Sequence, residues 1–212
     1  MKNLLFLLAL ICGTVALIGS CAKKDENATT ATTTTALVAA STASGSITVG
    51  SETLSGTYAT SCLTAGVSDL VSSNSVPSDT KALAWLFVVR GNDNITEEQH
   101  GFTDTTCTTK NYHSNLVYDN VSVGSASGSN YQVLQLYTGV NLLANTTAAD
   151  TWLETQFSVT LTVGTENKYS VGPYQSYGLW NLSGTTFKKA VNLLPLTILL
   201  YQISLILSSD LF

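Results

Sequence analysis

Alternation of apolar and polar positions organises the middle of this chain. In residues 157–164 (FSVTLTVG), Phe157, Val159, Leu161 and Val163 fall on one side and Ser158, Thr160 and Thr162 on the other. A period of two predicts a half-buried β-strand there. Residues 83–90 (LAWLFVVR) form a denser apolar run, followed by Gly91-Asn92-Asp93-Asn94 and a second run from Ile95. Two runs about a Gly/Asn/Asp turn predict a hairpin. Further strands are predicted at 47–49, 54–61, 116–123, 131–140 and 177–187, with turn signals at 50–51, 124–130, 164–168 and 183–186. Helical patterning is thin: 63–76 and 144–154 each hold a turn or two, the second with Asp150 as its cap. The expected class is all-β and antiparallel.

The two ends break this texture. Met1-Lys2-Asn3 is a short basic start, and residues 4–18 are almost wholly apolar, the layout of a secretory signal. The run is shorter than the roughly 20 residues a spanning helix needs. It closes on Ile18-Gly19-Ser20-Cys21, which resembles a bacterial lipobox: a branched apolar residue, two small ones, then cysteine. The first position departs from the commoner leucine. The resemblance implies that residues 1–20 are removed and that Cys21 is acylated as the new N-terminus. It also implies a lipid-anchored protein of the bacterial cell envelope, and Ala22 after the cysteine favours the outer membrane. The competing readings are a plain secretory signal or an uncleaved anchor.

Residues 21–46 are rich in Thr, Ala and Ser, without aromatics. Such a composition buries too little surface to offset ordering, so a disordered tether is expected, reaching on the order of 25 to 30 Å. The β domain then spans 47–189. Residues 190–212 form a hydrophobic tail whose apolar stretch, 196–207, is broken upstream by Pro195 and holds Gln202 and Ser204. Such a length is more often buried or interfacial than spanning.

Charge narrows the partners. The chain has 9 basic and 14 acidic residues, and loss of Lys2 with the signal leaves a net charge of about −6. Nothing here suggests nucleic acid. Four cysteines occur: Cys12 leaves with the signal and Cys21 carries lipid, so Cys62 and Cys107 remain in a compartment where disulfides persist. A bridge between them is expected, worth on the order of 4 kcal/mol by chain entropy. A catalytic thiol or a metal site is the alternative, although zinc would want a CxxC pair or histidines at ligand spacing.

Candidate chemistry is sparse, and no catalytic residue, cofactor or metal is expected. His100 and His113, the two histidines, combine on paper with Asp104 or Asp119 into a triad, but no Gly-x-Ser-x-Gly elbow supports one. Both are read as solvated surface residues. Glu97-Glu98 reads as a solvated turn, since neighbours on a strand point to opposite faces. Residues 91–94 lack the spacing of a calcium loop. Tyr112, Tyr118, Tyr131, Tyr137, Tyr169, Tyr174, Tyr177, Trp152 and Trp180 are expected to fill the core or its rim, or else to line a ligand-binding mouth.

LSGTYATSC (54–62), GFTDTTCTT (101–109) and LSGTTFKK (182–189) together resemble a group of uncharacterised bacterial lipoproteins with a lipocalin-like antiparallel β domain. The resemblance covers about 54–189 and rests on short motifs, GTYxxxC and FxDxxC. It implies a lipocalin-like up-and-down barrel or curved sheet of about eight strands, a Cys62–Cys107 pair on neighbouring strands, and no known activity. The functional expectation is a non-enzymatic, lipid-anchored domain displayed to a protein or glycan partner. A binder of a small apolar ligand is the alternative, and an extracellular hydrolase the least favoured.

Overall fold

In the computed structural model, which describes residues 22–24 and 37–192, the alternating segments pair with their sequence neighbours. The strands are β1 (Ala22–Lys24), β2 (Ile47–Val49), β3 (Glu52–Leu54), β4 (Thr57–Ala59), β5 (Ala82–Val89), β6 (Ile95–Phe102), β7 (Lys110–Ser127), β8 (Asn130–Ala144), β9 (Asn167–Ser183) and β10 (Thr186–Asn192). Two helices interrupt them, α1 (Val67–Ser72) and α2 (Thr147–Phe157). β4 to β10 form one antiparallel up-and-down sheet in chain order, curled into a barrel. The short β1 bridges the seam, with Ala22 opposite Phe187 and Lys24 opposite Tyr58. β2 and β3 make a separate hairpin. The antiparallel all-β architecture expected from the alternation is therefore the one observed. Among the described residues no helix is long and apolar enough to cross a membrane.

Inward-pointing positions fill the barrel with rings. Tyr58, Phe87, Trp180 and Phe187 are fully buried. Phe87 and Phe187 lie 4.6 Å apart between centroids, and Trp180 meets each edge-on at 5.4 Å. Edge-to-face contacts of this kind add to the area the rings bury. α2 packs at the end of the barrel where β8 finishes. Its N-terminus is capped by Thr146, whose Oγ1 accepts the Ala149 N–H at 3.2 Å, rather than by the expected Asp150. Its buried face, Ala149, Trp152 and Leu153, brings the Trp152 ring to 5.4 Å from Tyr112. Tyr112 lies so close to Gly101 that a Cβ there would fall 2.0 Å from the ring.

The strand expected at 157–164 does not form. Phe157 ends α2, and Ser158 turns left-handed (φ 55°) with its N–H on the Glu154 carbonyl. The Glu154 side chain then accepts the Leu161 N–H at 2.7 Å, and only Leu161 of the alternating set is buried. On β8, the strand that leads into α2, both sides are already occupied, by β7 and β9. The expected strand at 177–187 is instead a hairpin, the end of β9 and the start of β10.

Not all of the stretch read as a tether stands away from the domain. Leu37 and Ala39 pack against an outer cluster of Ala82, Ala84, Leu86 and Phe102. Farther on, the Ser44 N–H donates to the Val89 carbonyl at 2.9 Å. Residues 37–46 thus form a strap on the outer wall. The signal, Cys21, residues 25–36 and the tail from 193 onward lie outside the described residues. Residues 190–192, read as the start of the tail, belong to β10.

Candidate functional site: charges buried on both faces of one strand

β6 is rich in polar residues yet enclosed: all eight residues of ITEEQHGF are buried. Its place between β5 and β7 satisfies the backbone and leaves side chains on two faces. Glu97 and Gln99 point inward, opposite Phe87 and Trp85 on β5. Thr96, Glu98 and His100 point to the outer wall. The expectation that Glu97 and Glu98 face opposite ways holds, whereas their reading as a solvated turn does not. The hairpin turn ends at Asn94, and both carboxylates lie inside strand pairing.

Inside the barrel, Glu97 forms an ion pair with Lys189, which reaches it from β10. The ammonium sits 5.3 Å from the centroid of the Tyr118 ring. Burial pushes Lys189 down to about 7, because a low-dielectric interior disfavours the charged form. Such a pair is a strut, costly to break from one side.

On the outer wall, Glu98 is the anchor of the strap. Its carboxylate accepts the Ala40 and Ser41 N–H groups, each at 2.8 Å, and contacts His100 Nε2 at 2.8 Å. Burial alone raises its pKa. The hydrogen bonds and charge of His100, with the bonds from Ser41 and Ala40, outweigh that and hold it at about 2. His100 lies opposite His113 in the β6–β7 ladder, the rings 5.6 Å apart. His113 Nε2 lies 3.1 Å from Glu166 Oε1, in the segment leading into β9. Glu166 in turn lies 3.5 Å from Lys168.

Both histidines are held neutral at pH 7. Burial pushes His100 down, with Lys110 adding to the effect and Glu98 opposing it. Burial also pushes His113 down, helped by His100 and Lys110, to about 4. The reading of these residues as solvated is thus corrected: His100 is 0% and His113 4% exposed. What buries Glu98 comes from a strap 58 residues earlier in the chain, a distance across which local patterning carries no signal.

The other sequence candidates separate. Cys62 and Cys107 form a disulfide with Cα atoms 5.8 Å apart. They do not lie on neighbouring strands: Cys62 follows β4, Cys107 sits in the β6–β7 connection, and β5 runs between. Cys107 adopts φ 56°. Its loop is organised by Asp104, which accepts the N–H groups of Thr106, Thr108 and Thr109. Asp119 accepts from Asn94 Nδ2 at 2.6 Å and Thr138 Oγ1 at 2.7 Å. Each aspartate is thus tied into a local network, and the carboxylates bonded to the histidines are glutamates. Of the aromatics, Tyr112, Tyr118, Trp152 and Trp180 are buried, while Tyr174 and Tyr177 are 47% and 41% exposed. Among the described residues, no three His, Cys, Asp or Glu side chains converge as a ligand set.

These features define a class: an antiparallel, up-and-down β-barrel domain, strutted inside by a lysine–glutamate pair and strapped outside through a buried carboxylate. The chain matches no protein-family model and no curated protein.

Proposed function

We propose that this protein is a lipid-anchored lipoprotein of a bacterial cell envelope, held at the outer membrane through Cys21. It displays a non-enzymatic barrel to a protein or glycan partner. The observation that carries the reading is the order of features along the chain. An apolar run ends in Ile18-Gly19-Ser20-Cys21, a Thr/Ala/Ser-rich segment follows, and then comes a disulfide-bonded β domain. Two or three acyl chains on one cysteine suffice for stable anchoring, where a single chain does not.

The aromatic interior favours display over carriage of a small apolar ligand. The space such a ligand would take is occupied by Tyr58, Phe87, Trp180 and Phe187 in mutual contact. The test is fractionation of cells expressing the wild type or Cys21→Ser, with palmitate labelling. The wild type is expected in the membrane fraction and labelled, and the variant unlabelled and released. A labelled, membrane-bound Cys21→Ser protein refutes the anchor.

A further inference from the structure

The paired histidines carry an inference separate from anchoring and display. His100 and His113 face each other across β6 and β7, and each presents Nε2 to a glutamate, Glu98 at 2.8 Å and Glu166 at 3.1 Å. An ionised carboxylate only accepts, so each Nε2 carries the hydrogen and each Nδ1 is left with a lone pair. Both Nδ1 atoms are buried without a hydrogen-bond partner. Nearby on β7, Asn115 Oδ1 is a buried acceptor in the same condition. Against these three acceptors, the unsatisfied donor that β7 offers on this face is Asn115 Nδ2. A buried acceptor left bare is costly, and a surplus of them is what a cation relieves.

We propose that His100 and His113 form a transition-metal site, with their Nδ1 atoms as ligands and Glu98 and Glu166 as the carboxylates that orient the rings. A metal-bound imidazole characteristically gives its other N–H to a carboxylate, which fixes the tautomer and raises ligand basicity. Here that outer arrangement is present twice, related across one strand pair. The ligand type selects zinc, copper or nickel over calcium or magnesium. Two glutamates supply compensating charge, opposed by Lys110 close to both histidines. With two imidazoles as protein ligands, the remaining positions fall to water or an asparagine oxygen, which makes the site open rather than closed. Entry is from the Glu166 side, where that carboxylate is 33% exposed.

The test uses the full chain on an affinity tag free of histidine, stripped with chelator, then titrated with Zn²⁺ by calorimetry and with Cu²⁺ by electron paramagnetic resonance. One equivalent of zinc is expected, and a copper spectrum split by two imidazole nitrogens. His113→Gln should weaken zinc binding by at least 100-fold. Should that variant fail to fold, Glu166→Gln, at a partly exposed position, should weaken binding roughly 10- to 100-fold while keeping both nitrogens in the copper spectrum. Absence of zinc binding, binding unchanged in Glu166→Gln, or a copper spectrum without two nitrogens overturns the site. A bridging water in place of the metal gives the first of these results.

Discussion

Acidification should destabilise this barrel in a window set by His113. Its pKa falls from 6.5 in the unfolded chain to about 4 in the fold, mainly through burial. Between those values the unfolded state binds more protons, so stability rises with pH and is lost as pH falls from about 6.5 toward 4. The drop from 6.5 to about 4 is worth roughly 3 kcal/mol. His100, pushed the same way, adds to the slope. Glu98, held at about 2, acts lower, its contribution being lost only as pH falls below about 4.5. Urea melts of chelator-stripped protein at pH 7.5, 6, 5 and 4.5 measure this directly. With a slope of about 2 kcal/mol per molar urea, the midpoint should fall by roughly 1.5 M over the window. His113→Gln should flatten much of that fall. A midpoint constant from pH 7.5 to 4.5, or an equal fall in the variant, refutes the burial argument.

Three further outcomes follow from the same contacts. Glu98→Gln removes the charged acceptor of the Ala40 and Ser41 N–H groups and should cost about 1.5 to 3 kcal/mol; hydrogen exchange should speed up at those two amides before it does in β6. Lys189→Met alone should destabilise by about 3 to 5 kcal/mol by leaving Glu97 unpaired. Adding Glu97→Leu should recover most of the loss, and additive effects in that double-mutant cycle would contradict the strut. Cys62→Ser with Cys107→Ser should lower stability by about 4 kcal/mol, read as the gap between the wild-type and variant urea curves without reductant.

The strands at 83–90, 116–123 and 131–140 were legible from their apolar runs, and the turn at 91–94 from its own chemistry. The segment at 157–164 shows the limit of that signal. Its alternation is real, yet it follows directly on a helix, and both sides of the neighbouring β8 are filled by β7 and β9. β6 fails for the opposite reason. TEEQH looks solvated in one dimension, but Glu97 meets Lys189 from the last strand and Glu98 meets a strap from before the first barrel hairpin. Partners that distant leave no trace in local periodicity. The disulfide was legible by cysteine count, while its path across β5 required the topology. Likewise nothing in the spacing of His100 and His113 marked them as a pair until the hairpin set them opposite each other.

Anchoring through Cys21 is the central functional claim, and the mass of the N-terminal peptide tests it most directly. Protein isolated from membranes of the expressing bacterium and digested should yield a peptide beginning at Cys21, carrying a diacylglyceryl group and lacking residues 1–20. An N-terminus elsewhere, with an unmodified Cys21 inside the chain, would contradict the account.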